Sequence, residues 1–453
     1  MNSLNSRLYS LDVFRGMTIA LMILVNIPGS WNYIYPPFEH ADWNGCTPTD
    51  LVFPFFLFIV GVSSAFSFLK FDYKLNYETA FKIIERTFLI FTIGLLLNYF
   101  PFFNYFLTGA DSWGDFITFL SRFILAFVPF FIILWLLKSI TPKIAYLVSN
   151  KKTGNLTYLL SFIVIYLIIL LISLLIIDKI PVYNKELSDL RILGVLQRIA
   201  LAYGFGVLLI LSFRKKKNIY IFGVLLLFFY WLIMWYFGGV NSFSLEGNFE
   251  RKIDIFVLGE NHMWHGKNIA FDPEGILSTI PSVVTVLIGF LTGNKLIEIS
   301  KKTYSQILIQ LIIAGVILVG LGLIWNIFFP INKSLWTSSY VLFTGGLAMI
   351  FLSCLYWLID VKDQSKWFSF FNVFGVNPLF AFVVHVLWVK IIANILKWSY
   401  GENITENGYL LLYEKVFQRF GNYQGSFLFA ISHILFFYLI LFILYKKKIF
   451  IKI

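Results

Sequence analysis

Apolar residues follow one another along this chain in long unbroken blocks, with neither helical nor strand periodicity inside them. A stretch such as LLSFIVIYLIILLISLLII leaves no polar face, unlike the amphipathic helix of a soluble protein. Nowhere does the roughly ten-residue alternation of a barrel strand occur. A helix needs about 20 mostly apolar residues to cross roughly 30 Å of hydrocarbon. Runs of that length predict twelve spans, at 11–30, 50–70, 84–104, 116–138, 156–178, 190–213, 219–240, 276–297, 305–328, 335–359, 375–396 and 424–445. The expected fold is all-α, a polytopic membrane bundle.

Composition agrees with that reading. Of 453 residues, 59% are apolar and 13% charged, and the mean hydropathy is +0.79. A soluble domain carries about 25% charged residues. The surplus of apolar side chains excludes a soluble enzyme, a disordered chain and a nucleic-acid binder. The two cysteines, Cys46 and Cys354, are too few for a disulfide framework and fall near opposite membrane faces.

The net charge of +12 changes the picture only through its placement. With the N-terminus inside and alternating spans, inner segments hold 21 of the 36 Lys and Arg residues and outer loops nine. This is the positive-inside pattern, and it predicts an N-in/C-in chain. The charge is thus an anchoring pattern, and no nucleic-acid partner is expected. The first run contains Asp12 and Arg15 and lacks a small-residue cleavage site, so it reads as a span and not as a signal peptide. No linker-like segment divides the chain, which predicts one membrane domain over residues 1–453. Three sizeable outer loops, 31–49, 241–275 and 397–423, place the elaborated chemistry outward or within the bundle.

Ionisable residues inside spans are expensive and mark candidate sites. Here they are Asp12, Arg15, Arg86, Arg122, Arg191, Arg198, His385, Lys390 and His433, with Asp50 and Glu274 at span edges. Asp12 and Arg15 share a helix face and can pair, or Arg15 can hold a ligand. Arg122 and Lys390 read as snorkelling side chains, and His433 as an interior histidine. Arg15, Arg86 and Arg198 offer planar donor forks suited to phosphate. They suit an anionic cofactor entering from the cytoplasm, or else an internal ion-pair network with Asp12, Asp50 and Glu274.

The densest polar stretch lies between Asn26 and Asp50, around His40. A histidine there can take a proton near neutrality, and an asparagine can donate to a developing oxyanion. Aromatic faces beside Asn and Asp suit a sugar, although a solvated loop with a helix cap at Thr49 or Asp50 reads the same residues. His262 and His265 in NHMWH lack a third metal ligand, so no metal is expected. Phosphate-loop, nucleophile-elbow and C-x-x-C motifs do not occur.

Several blocks taken together carry a resemblance: LDVFRGMTIALMILVN, HADWNGCTPTDLVFPFFLFIVG, RILGVLQRIALAYG, FDPEGILSTIPS, NKSLWTSSY and NPLFAFVVH. In this order they resemble the heparan-α-glucosaminide N-acetyltransferase family. The resemblance implies transfer of acetyl from cytosolic acetyl-CoA to the amine of a glucosamine-type sugar across a membrane. It implies His40 as the catalytic histidine and Asn26 as its companion, with Asp12, Arg15, Asp50, Arg198, Glu274 and His385 at matching polar positions. Arg15, Arg86 and Arg198 are the cations expected to hold the donor. By the same resemblance, residues 105–188 read as an insertion of two helices into a ten-helix core, and a chain without the animal enzyme's luminal domain and first helix is expected. An integral protein of the cell's inner membrane is implied, with lipid and an amino-sugar or glycan acceptor as partners; a homodimer stays open. The rivals are a secondary transporter of a small polar solute and an acyltransferase of the same class acting on a cell-envelope glycan.

Overall fold

The computed structural model describes residues 8–103, 116–149, 155–180, 185–213, 215–299, 303–400 and 404–451. The described chain is a helical bundle. Its helices are α1 Tyr9–Asn26, α2 Val52–Leu69, α3 Tyr77–Tyr99, α4 Phe116–Trp135, α5 Thr141–Ser149, α6 Asn155–Asp178, α7 Val195–Ser212 and α8 Lys216–Gly238. They continue with α9 Phe249–Leu258, α10 Thr279–Ile297, α11 Tyr304–Trp325, α12 Ser338–Tyr356, α13 Ser369–Val376, α14 Pro378–Lys390, α15 Gly408–Leu412 and α16 Asn422–Lys446. A short antiparallel hairpin, β1 Lys397–Tyr400 with β2 Ile404–Asn407, decorates the third long loop.

Eleven helical stretches among the described residues are long and apolar enough to cross a membrane. The twelfth expected span is α3, a 23-residue helix whose first half carries Glu78, Lys82, Glu85 and Arg86. It lies within the bundle against α7 and α14. The protein is a polytopic helical membrane protein.

Burial separates two kinds of helix. Within the most apolar part of α10, 72% of residues are buried, against 28% for α11. Helices α4, α6, α8 and α11 expose Leu, Ile, Phe and Val along their lengths, which in water would be untenable and in lipid is the ordinary surface. Hydrophobicity alone does not hold helices together in lipid, so close packing must. At the α2–α10 crossing, a Cβ on Gly61 would strike the Val286 carbonyl, and one on Gly289 the Phe58 carbonyl.

Several expected boundaries move, each for a local reason. Helix α1 stops at Asn26, because Pro28 cannot continue it. The span expected from 190 begins at Val195, so Arg191 lies in an extended segment outside the helix. The run from Phe116 continues through a π-helical turn, Leu136–Ile140, into α5, turning an expected inner loop into helix. The expected 375–396 span breaks at Asn377, leaving the short α13 packed on α1 and Pro378 opening α14. Cys46 and Cys354 are free thiols. For Arg122, the side chain lies outside the described residues.

Candidate active site

The turn that opens α2 builds one wall of the site. Pro48 starts the turn with its φ already helical. The Asp50 carboxylate folds back so that Oδ2 accepts from Thr47 N at 3.0 Å, Thr47 Oγ1 at 3.0 Å and Ala41 N at 3.1 Å. Its other oxygen, Oδ1, lies 2.7 Å from His40 Nδ1. A carboxylate only accepts, so Nδ1 carries the proton and Nε2 is left with its lone pair. Asp50 is 1% exposed, whereas the His40 ring stays half-exposed. Buried acid and accessible base form a dyad in which one orients the other.

A third group sits on the dyad. Lys333, from the segment before α12, places Nζ 3.1 Å from His40 Nδ1, 3.4 Å from His40 Nε2 and 3.5 Å from Asp50 Oδ1. Burial pushes this ammonium below its ordinary pKa, with Asp50 and then Glu274 opposing.

These residues border a cavity of about 420 Å³ that runs down between α1, α2, α7 and α14. Its ionisable and amide lining is Asn26, His40, Glu274, Lys333, His385 and Lys390. The deeper wall is mostly apolar, with Met22 and Val25 beside Thr18 on α1 and Phe53 and Phe56 on α2. From Thr18 to Asn26 the α1 wall alone is about 12 Å long. Asn26 is exposed at the end of α1, and its side chain has no hydrogen-bond partner among the described residues. His385 is buried, with Nδ1 donating to the Phe382 carbonyl at 3.0 Å.

Glu274 reaches the cavity on a tightly held turn. Arg191 grips Asp272 with two bonds of 3.0 and 2.7 Å and reaches Glu274 Oε2 at 2.6 Å. Beneath the turn, the fully buried Arg198 donates to Gly275 O at 3.1 Å and to Ser278. Two carboxylates from α9 complete the support. Glu250 accepts from Ser278, and Asp254 Oδ1 accepts from Ile276 N at 2.9 Å. A Cβ on Gly275 would collide with both carboxylates, so any larger residue there would have to push them aside. Burial raises both carboxyls, Glu250 well above its ordinary value and Asp254 to about 7.

No protein-family model matches the chain. Over 505 aligned residues, which include all of this chain, it is 28% identical to the heparan-alpha-glucosaminide N-acetyltransferase of Homo sapiens. It is 26% identical to that of Mus musculus over 99% of its length. It spans 61% of the length of each of those two relatives.

Of the residues that the heparan-α-glucosaminide N-acetyltransferase resemblance singles out, Asn26, His40, Glu274 and His385 line one cavity, and Asp50 stands behind His40. The others go elsewhere. Arg15 pairs with Asp12 at 2.9 Å and donates to Ser63 Oγ at 2.7 Å, about 16 Å down α1 from Asn26. Arg86 is exposed and stacks over the Tyr203 ring at 4.9 Å. Arg198 is enclosed by the 273–278 turn and the Trp336 ring, 5.4 Å away. The three arginines therefore sit at three separate contacts, and Arg198 belongs to the framework that carries Glu274, not to a cluster with Arg15 and Arg86.

Lys390 departs from its expected snorkelling. Its Nζ donates to the Leu97 and Phe100 carbonyls, the latter at 3.1 Å, neutralising the negative end of α3 beside the cavity. His433 is buried, with Nδ1 donating to the Phe429 carbonyl at 2.8 Å. His262 Nδ1 donates to the Leu190 carbonyl at 2.7 Å, and no group of three metal-ligating side chains gathers among the described residues. Sequence reasoning passed over Lys333, Lys390 and the Arg191–Asp272 fork as site components. The signal for two of them was present, since Lys333 lies in NKSLWTSSY and Asp272 in FDPEGILSTIPS.

Proposed function

We propose that this protein is a transmembrane acetyltransferase that moves acetyl from acetyl-CoA to the amine of a glucosamine-type sugar. The observation that carries this reading is the His40–Asp50 dyad at the mouth of a cavity sunk into a membrane bundle. Acetyl-CoA is a substrate whose thin pantetheine arm suits the apolar channel along α1 and α2. The charged nucleotide lies at the Arg15 and Arg86 end, which the positive-inside pattern assigns to the cytoplasm. The acceptor enters at the opposite end, on the outer side of the cell's inner membrane.

The chemistry follows from the atoms at the mouth. His40 Nε2 takes a proton from the acceptor ammonium, and Asp50 steadies the resulting imidazolium through Nδ1. The freed amine attacks the thioester carbonyl, the C–N bond forms, and Asn26 Nδ2 donates to the oxyanion. Collapse breaks the C–S bond, the leaving thiolate receives the proton from His40, and the surplus proton on the new amide nitrogen passes to the vacated Nε2 and from there to solvent. Glu274, on its rigid turn, offers a carboxylate to the incoming ammonium. Holding donor and acceptor together in one cavity supplies much of the rate, with oriented reactants saving about 7–11 kcal/mol.

Transfer of radiolabelled acetyl from acetyl-CoA to glucosamine by the purified protein tests the proposal. His40→Ala should abolish transfer yet retain the thermal shift produced by acetyl-CoA. Absence of both transfer and thermal shift in the wild type would favour a transporter.

A further inference from the structure

A second cavity, of about 410 Å³, adjoins the first. The two share Asn26, Trp31 and Val389, so a ligand at the mouth of one extends directly into the other. Each volume is within the range of about 300–1,000 Å³ typical of small-molecule sites.

The second cavity is built on a fixed frame with free side chains. The Tyr409 hydroxyl donates to the Pro28 carbonyl. Gly29 N donates to Ser426 O at 3.2 Å, and Ser30 N to Ser426 Oγ at 3.1 Å. These bonds pin residues 28–30 to α15 and α16. Beyond them, Trp31 stands 64% exposed at the junction of the two cavities. The Asn32 side chain has no hydrogen-bond partner among the described residues. Asn407 uses Oδ1 to cap α15 through Leu410 N at 2.8 Å, which leaves its Nδ2 to donate.

An open indole face flanked by free amides matches the alternation of C–H faces and hydroxyl edges on a pyranose ring. Among the described residues the lining holds no Lys, Arg, Asp or Glu. A sulfate or carboxylate placed there would lose water without gaining a counter-charge. We infer that this vestibule is a subsite for the sugar that follows the terminal glucosamine, and that this second sugar is uncharged. The acceptor is then a glycan of at least two residues. This inference rests on the acetyltransferase reading for the position of the first sugar.

Three acceptors test it on the full-length protein: glucosamine, glucosaminyl-N-acetylglucosamine, and glucosaminyl-glucuronic acid. The neutral disaccharide should exceed glucosamine about tenfold in kcat/KM, mainly through a lower KM, and the acidic one should not. Ala393→Phe, which fills the vestibule from a position outside the first cavity, should erase that advantage and leave glucosamine turnover unchanged. Asn32→Ala should reduce the advantage in the same direction. Tryptophan fluorescence titrated with the same sugars reads binding independently of transfer. Binding of the neutral disaccharide without transfer to any acceptor would sink the acetyltransferase reading and leave the subsite standing. Equal treatment of glucosamine and the neutral disaccharide in both readouts, preference for the acidic one, or an advantage that survives Ala393→Phe would overturn the subsite.

Discussion

Replacing Asp50 by asparagine changes one atom, yet the geometry predicts a large loss of rate. The carboxylate uses one oxygen for His40 Nδ1 and the other for Ala41 N, Thr47 N and Thr47 Oγ1. Asparagine has one oxygen to offer. Turned toward Ala41 and Thr47, that oxygen keeps three hydrogen bonds, and the new NH₂ faces His40 Nδ1. It must then donate, so Nδ1 becomes an acceptor and the imidazole proton moves to Nε2. In that tautomer the base has no lone pair at the cavity. The opposite amide orientation keeps the productive tautomer but points NH₂ at two backbone N–H groups. Leaving two such donors unpaired costs about 2 kcal/mol or more. The productive form is therefore a minor one, by at least about thirtyfold. A full tautomer reversal of this kind in a catalytic triad costs about 10⁴ in rate. Single-turnover transfer of labelled acetyl to glucosamine should thus fall by about thirtyfold to 10⁴-fold in Asp50→Asn. The unfolding free energy should drop by only about 1–2 kcal/mol, as charge-assisted bonds become neutral ones. A folded Asp50→Asn protein with a single-turnover rate within threefold of wild type would refute the dyad.

Three further outcomes are expected. Arg191→Met leaves Asp272 buried without its fork and should cost about 3–5 kcal/mol of stability in detergent, read by thermal unfolding. Unchanged melting would show that the fork is not needed to hold the 272–278 turn. Burial raises the Asp254 carboxyl to about 7, so the folded state binds more protons than the unfolded one above about pH 4. Stability should fall as pH rises through that window up to about 7, and Asp254→Asn, which can keep the Ile276 bond, should flatten the melting-temperature profile between pH 5 and 8. Lys333→Met removes the ammonium that lies 3.1 Å from His40 Nδ1 and 3.5 Å from Asp50 Oδ1, so single-turnover transfer should fall severalfold while the acetyl-CoA thermal shift is kept. An unchanged single-turnover rate would leave Lys333 with a purely structural part.

The sequence by itself determined the solvent of this protein, and with it the helical class. Apolar runs too long and too uniform for water can be satisfied only by lipid, and backbone groups in lipid can be satisfied only within helices or closed barrels. It also marked Asn26, His40 and Asp50, because polar residues crowd a short loop between two apolar runs and are held close by chain connectivity. Only the tertiary structure decided what faces them. His40 and Lys333 are 293 residues apart, and Lys390 caps α3 across 290 residues, to the Phe100 carbonyl. Hydropathy cannot choose such partners, since every apolar helix is equally soluble in lipid and lateral order comes from close packing. The Gly61–Gly289 crossing sets that order for α2 and α10. Arg198 makes the same point from the other side. Along the chain it was an intramembrane cation ready for phosphate, and in space its Nη1 and Nη2 donate to the turn that carries Glu274.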